Sequence, residues 1–186
     1  MEDQQIIELY WARSEQAIRE SETKYGAFCL SIARNILAQE QDAEECVNDT
    51  WLAAWNAMPP HRPARLSTFL GKLTRNLSFN RYKARRADKR GSGQLPLVLD
   101  ELGECVSGRE DVEETVDRKE LIRALDDFLT ALPRRSRDLF VRRYWYADPI
   151  AAIARRYGRT EGSVAMDLSR TRRKLKAYLT ERGFDL

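Results

Sequence analysis

One stretch limits most sharply what this chain can become: PIAAIARRYGRTEGSVAMDLSRTRRKL, residues 149 to 175. Pro149 suits a first helical position, and Ile150, Ile153, Ala154 and Tyr157 recur at helical spacing. Gly158 stands where a helix can end in a left-handed residue, and Thr160 is placed to N-cap the next one. The spacing predicts two short helices around a tight turn, a helix-turn-helix.

In the second of these helices Val164, Leu168, Thr171 and Leu175 form one stripe toward a core. The opposite side is assigned Ala165, Met166, Ser169, Arg172 and Arg173, flanked by Arg170 and Lys174. A basic, narrow face of that kind fits a major groove. Periodicity alone leaves a solvated surface helix equally open.

The net charge of +3 conceals an alternation: residues 1 to 60 carry −7, 61 to 90 carry +9, 91 to 132 carry −7 and 133 to 186 carry +8. Two basic blocks suggest two contacts with a polyanion, and the acidic ones offer a surface for something else. At 186 residues two small domains are expected, and the class is all-α throughout. Cys29, Cys46 and Cys105 are widely spaced with no CxxC, so neither a disulfide framework nor a zinc site is expected and the thiols read as reduced. The start MEDQQIIELYW has no apolar run of signal length, and no later stretch approaches a membrane span, so a cytoplasmic location with no membrane contact is expected.

In the first domain, residues 1 to 90, a long helix runs from Ser14 to about Gln39, and a second, DAEECVNDTWLAAWNAM, ends at Pro59 and Pro60. On the second, Ala43, Cys46, Val47, Thr50 and Ala54 share a core arc, while Asp42, Glu45 and Asp49 lie within about 60° of each other at 100° per residue. Three carboxylates on one exposed face can receive a basic partner. They stand near no His, Cys or metal-ligand set, so they are not expected to be catalytic, and no metal or cofactor is called for. Trp51 and Trp55 read as packing anchors, and His61, the sole histidine, as an inert residue of the stiff loop MPPHRPARLS. A third helix is expected from Thr68 to Arg86 with Ser67 as N-cap and Phe69, Leu70, Leu73, Leu77 and Ala84 buried. Lys72, Arg75, Asn76, Phe79, Tyr82, Lys83 and Arg86 then occupy another face. Cations, an amide and aromatics together suit single-stranded DNA, where rings stack on bases and cations meet phosphates. Packing of Phe79 and Tyr82 on another helix is the alternative.

Residues 91 to 116 read as a flexible acidic linker in which LPLVL is a docked piece, and 117 to 186 as the second domain. There Leu121, Ile122, Leu125, Phe128, Leu129 and Leu132 mark one helix, and Pro133 opens another in which Leu139, Phe140, Arg143 and Tyr144 repeat. With the helix-turn-helix these make a four-helix domain.

This order of parts resembles the sigma-70 family of bacterial RNA polymerase sigma factors, in its compact two-domain extracytoplasmic-function form. DAEECVNDTWLAAW is similar to the family's helix that docks on the clamp of the polymerase, LSTFLGKLTRNLSFNRYKARR to the helix that melts and reads the minus-ten element, and LPRRSRDLFVRRYWY with GRTEGSVAMDLSRTRRKL to the module that reads the minus-thirty-five element. The resemblance implies polymerase contacts at Asp42, Glu45, Asn48 and Asp49. It implies contacts to the unpaired minus-ten strand at Lys72, Arg75, Asn76, Phe79, Asn80, Lys83 and Arg86, with the MPPHRPARLS loop near an extruded base. It implies minus-thirty-five contacts at Thr160, Ser163, Ala165, Met166, Ser169, Arg170, Arg172, Arg173 and Lys174. Partners would be core RNA polymerase, promoter DNA and an inhibitory anti-sigma factor. Ala165, Met166 and Asp167 depart from the basic or hydroxyl residues of many relatives, and Ala165 and Met166 are expected to touch thymine methyls. Asn80 replaces a common Asp.

Two other classes compete with a promoter-directing subunit. A free-standing helix-turn-helix regulator leaves the acidic helix and the aromatic-basic helix without a role, and no dimerisation element stands out. An enzyme acting on nucleic acid lacks a metal or nucleophile constellation.

Overall fold

The computed structural model describes residues 1–85, 94–103 and 116–184. Among these residues there are nine α-helices and no strand, in two compact units, Met1–Gln94 and Leu95–Leu186. The expected all-α class is observed. Cys105, and the linker positions 91–93 and 104–115, lie outside the described residues.

The N-terminal unit holds α1 (Asp3–Trp11), α2 (Gln16–Ile36), α3 (Glu40–Ala57) and α4 (Leu66–Arg85). Helix α1 was not anticipated, because its nine residues are too few to establish a period. Its first turn is fixed by the Gln5 side chain, which accepts from the Glu2 backbone N–H at 3.0 Å, and its Ile6, Ile7 and Tyr10 are buried. Tyr10 and Ser21 share a buried hydrogen bond of 2.9 Å between their hydroxyls, which ties α1 to α2. Asp3 accepts from Lys24 at 2.7 Å and from the Tyr25 hydroxyl at 2.5 Å. Partial burial alone would raise the Asp3 carboxyl; these two donors outweigh it and hold the group below its ordinary value.

Helices α2, α3 and α4 enclose the core. Cys29, Ile32, Ala33 and Ile36 face Ala43, Cys46 and Ala54, as the period requires. Helix α4 meets them along a different seam from the expected one. Leu66, Leu70, Thr74 and Ser78 are buried, whereas Phe69, Leu73 and Leu77 are half-buried and Ala84 is exposed. The helix also begins at Leu66, so Ser67 lies inside it and is not its cap. The reason is a polar seam between α3 and α4. Thr50 donates to the Cys46 carbonyl at 2.8 Å and lies 3.2 Å from the Thr74 hydroxyl, Thr74 donates to the Leu70 carbonyl at 2.9 Å, and Cys46 Sγ lies 3.1 Å from the Ser78 hydroxyl. With each hydroxyl satisfied, small polar residues pack as well as apolar ones and bring the two backbones close. Burial pushes the Cys29 thiol up to about 11 and raises that of Cys46, so both stay protonated and unreactive near neutrality.

The C-terminal unit holds α5 (Gln94–Gly103), α6 (Val116–Ala131), α7 (Arg134–Tyr144), α8 (Ile150–Tyr157) and α9 (Glu161–Thr180). Gly158 ends α8 in the left-handed region, φ 61° and ψ 41°, and the Thr160 hydroxyl accepts from the Ser163 N–H at 3.2 Å, as the sequence predicts for a helix-turn-helix. Pro149 stands one residue before α8, as its N-cap. Ile153, Leu168, Leu175 and Leu179 form the core with Leu139, and Phe128 of α6 packs its ring 5.3 Å from that of Tyr178. Part of the expected flexible linker is helical. Residues 94–103 form α5, with Leu95 and Val98 buried, so LPLVL belongs to a fixed element of the C-terminal unit.

Candidate nucleic-acid interface

Three faces carry the charged side chains that sequence reasoning selects, and each is set by the helix beneath it. On α4 the seam of Leu70, Thr74 and Ser78 turns Lys72, Asn76, Asn80 and Lys83 to solvent, with Arg75, Phe79 and Tyr82 half-exposed beside them. The Phe79 ring is flanked by two cations one helical turn away on either side, Arg75 at 5.6 Å and Lys83 at 5.1 Å, and Tyr82 lies 6.4 Å off, tilted 41°. Both cations reach the ring because i−4 and i+4 lie on the same face. The array presents positive charge and two part-open rings along about two turns, which suits an unpaired strand with its phosphates on the cations. Arg86 lies outside the described residues. The loop before α4 is tied to the helices around it: His61 stacks on Phe69 of α4 at 5.1 Å, and Arg62 bonds Glu8 of α1 at 2.5 Å while lying 4.6 Å over Trp11.

The acidic face of α3 is not the open ridge that its spacing predicts. Asp42 is buried, and Arg81 of α4 occupies the space between the other two carboxylates. It donates to Glu45 at 2.9 Å, to Asp49 at 3.0 Å and to the Asp42 carbonyl at 3.2 Å. Asp42 sits in the first turn of α3, where the helix N-terminus favours a carboxylate, so burial there is tolerated. Glu45 and Asp49 remain about half exposed, at 53% and 50%, and Asn48 is exposed beside them. Beside Asn48 lies a groove of about 550 Å³ lined by Ile18, Trp51, Leu52 and Trp55 together with Glu15 and Arg19. Leu52 is 59% exposed, more than any other large hydrophobic side chain among the described residues. Trp51 is buried and Trp55 meets Tyr10 edge-on at 6.3 Å, so both serve packing while their edges line the groove.

On α9 the stripe of Val164, Leu168, Thr171 and Leu175 is buried, which leaves Met166, Arg170, Arg173 and Lys174 exposed and Ser163, Ala165 and Ser169 half-exposed. Met166 is 55% exposed at the centre of the outer face. Arg172 departs from its expected place. It stands four residues after Leu168, about 40° around the helix, and its guanidinium turns inward. Nη1 donates to the Tyr144 hydroxyl at 2.7 Å and reaches Glu101 at 3.5 Å, with the side chain only 16% exposed. Asp167 is paired as well. Arg159 in the turn donates to it at 2.6 Å and to the Ser163 hydroxyl at 2.8 Å, so the carboxylate that departs from the family pattern brings no unbalanced negative charge to the groove face. Thr160 spends its side-chain acceptor on the cap.

Four side chains that shape these faces were not picked out from the sequence: Arg81, Leu52, Arg159 and Glu101. Arg81 follows Thr74 and Ser78 at helical spacing, so a stripe drawn through the small polar residues aims it at α3. Arg143 sat in the expected buried stripe of α7, and a buried guanidinium calls for an anion, which is Glu101.

Comparison with known proteins follows the same division. The family model described as sigma-70 region 2 matches residues 23–88, and that described as sigma-70, region 4 matches residues 122–175, together more than half of the chain. A curated relative, the probable RNA polymerase sigma factor RfaY of Xanthomonas campestris pv. campestris, is 26% identical over 157 residues. The match covers 84% of this chain and 38% of that protein, so the chain spans well under half of the relative's length. A solved structure, that of CnrH in complex with the cytosolic domain of CnrY, aligns over 96% of this chain and 97% of that one at 22% identity, with a TM-score of 0.42.

Proposed function

The chain belongs to the sigma-70 family of RNA polymerase sigma factors, in the two-domain extracytoplasmic-function form, and from that premise we propose that it binds core RNA polymerase and directs promoter-specific transcription initiation in the cytoplasm. The observation that carries this reading is the pairing of two cationic helix faces of different chemistry, one per unit. The α4 face, cations around part-open rings, suits unpaired bases. The α9 face, cations around a central apolar Met166 on a capped recognition helix, suits the major groove of a duplex.

Lys72, Asn76, Asn80 and Lys83 would hold the displaced minus-ten strand, with Phe79 and Tyr82 taking bases that have left the stack. Unstacking costs a few kcal/mol, which ring contacts offset at about 1–3 kcal/mol per base. Arg170, Arg173 and Lys174 would grip minus-thirty-five phosphates, while Ala165 and Met166 face thymine methyls. Polymerase would dock on Glu45, Asn48 and Asp49, with Leu52 and its groove supplying the apolar centre that charge alone cannot. An anti-sigma factor, the other partner of this reading, would act by covering that same face. The chain itself performs no covalent chemistry in this scheme; the polymerase makes the bonds.

The test is reconstitution. The pure chain added to core polymerase should yield promoter-specific run-off transcripts, and the chain alone should bind duplex weakly. Glu45→Lys together with Asp49→Lys should cut capture of core polymerase at least tenfold in a pull-down. Those side chains are half exposed, and each of their two ion pairs to Arg81 is worth up to about 1 kcal/mol, so the fold should survive the change. Undiminished capture, with the helical signal intact, would remove α3 as the docking face.

A further inference from the structure

Asp167 puts a carboxylate on the cationic side of α9, and the turn before that helix holds it there. Arg159, next after Gly158, reaches back along the first two turns of α9. Its Nε donates to the Ser163 hydroxyl at 2.8 Å, its Nη2 to the Ser163 carbonyl at 3.2 Å and its Nη1 to Asp167 Oδ2 at 2.6 Å. Every nitrogen of the guanidinium is engaged and the side chain is only 17% exposed, so the fork has one orientation and fixes Oδ2 in one place. The second oxygen, Oδ1, accepts from no described residue, and the Asp167 side chain keeps 31% of its surface open.

The helix decides where that oxygen is carried. At 100° per residue Met166, Arg170 and Asp167 span an arc of about 100°, on the side that leaves Met166 and Arg170 exposed. Asp167 also belongs to the N-terminal half of α9, the part of a recognition helix that meets base edges. A bare carboxylate would be repelled there by the phosphates of both strands. With Arg159 on one oxygen the pair carries no net charge, and a hydrogen-bond acceptor is left open beside it.

We infer that Asp167 is a specificity-determining residue: its open Oδ1, positioned by Arg159, accepts from the N4 amino group of a cytosine in the minus-thirty-five element. The role rests on the proposed function, in which α9 enters the major groove. Only cytosine and adenine offer a donor in that groove, and adenine sets its N7 acceptor beside the donor, where a carboxylate is repelled. Guanine presents two acceptors and thymine one, which Oδ1 cannot bond. Cytosine presents its amino group with no acceptor next to it on the same base. Arg170, Arg173 and Lys174, if engaged on phosphates, hold every sequence alike and cannot make this choice.

The test is selection from a duplex library with a randomised core, bound to the full chain and sequenced. The wild-type chain should enrich cytosine at one position by about tenfold over the other bases. Asp167→Ala should lose that preference and keep those at neighbouring positions. Asp167→Asn gives the sharper result. Arg159 can only donate, so it retains the amide oxygen and the amide nitrogen takes the place of Oδ1; an acceptor becomes a donor, and the selected base should change from cytosine to guanine or thymine. Arg159→Ala should blunt the cytosine preference without that exchange. A pair that served packing alone would alter affinity and leave the chosen base as it was. Cytosine still selected by Asp167→Ala, or lost from Asp167→Asn with no other base in its place, would overturn the inference, while preferences elsewhere in the site kept α9 as the reading helix. A wild-type chain without preference at any position would remove both.

Discussion

Arg172 and Arg173 are adjacent in sequence and opposite in environment, and the difference decides what each can do. Arg173 is exposed on the outer side of α9, whereas Arg172 lies against Tyr144 and Glu101. Neutralising a phosphate releases counterions, so the salt dependence of binding counts the cations that touch DNA. Arg173→Ala should weaken binding to a minus-thirty-five duplex and lower the slope of log K against log salt by about one. Arg172→Ala should leave that slope unchanged and instead destabilise the unit, since it deprives the Tyr144 hydroxyl and Glu101 of a charged partner. Titrations at several salt concentrations beside a thermal melt separate the two outcomes. The cap offers a simpler case. Thr160→Ala removes the acceptor for the Ser163 N–H and should cost about 1 kcal/mol in chemical denaturation, with Thr160→Ser restoring most of it.

Helix α5 gives the C-terminal unit a pH-sensitive tie. Burial works to raise the Glu101 carboxyl, but donors from Arg143 and Tyr144, with the charge of Arg172, hold it below its ordinary 4.5. Among the described residues those groups, on α7 and α9, are the charged and titratable side chains that bond it. A carboxyl lowered in the folded state binds its proton more readily when the chain is unfolded, so its stabilisation is complete above that value and is lost as pH falls through the folded pKa. Protection of the α5 amides, corrected for intrinsic exchange, should be flat from neutrality to about pH 5 and fall away below pH 4, and Glu101→Gln should abolish the dependence. The same helix shows where sequence reasoning stops. The turn at Gly158, the cap at Thr160 and the stripe Val164, Leu168, Thr171 and Leu175 were legible because each is a local rule, a positive φ, a side-chain acceptor and a 3.6-residue period. The inward turn of Arg172, the Arg81 clasp on Glu45 and Asp49, and the rotation of α4 onto Thr74 and Ser78 depend on residues 28 to 71 positions apart. No periodicity encodes such pairs; they follow from which helix lies opposite. Helix α5 was read as linker because glycines and acids border it, and its docking rests on two apolar side chains and one carboxylate.

The alternation of charge along the chain becomes, in three dimensions, one cationic face on each of two compact units, and on the proposed function each face would take a different form of DNA. On the proposed function Phe79 and Tyr82 would stack on unpaired bases, so the contribution of α4 would arise once the duplex has opened. Met166, Arg170 and Arg173 are exposed on a capped helix and on the same proposal would read an intact groove, so the contribution of α9 would be present before opening. Defects in the two should therefore add in free energy, as expected of faces on different units, yet respond oppositely to the state of the template. In a holoenzyme reconstituted with this chain, Lys72→Ala with Lys83→Ala, or Arg170→Ala with Arg173→Ala, should each lower run-off transcription about tenfold or more, and the fourfold variant should lose the product of the two factors. A template with its minus-ten region left unpaired removes the cost of melting. It should restore much of the activity of the α4 variant and little of the α9 variant's. Equal restoration of both would mean that the two faces do not divide the promoter in this way.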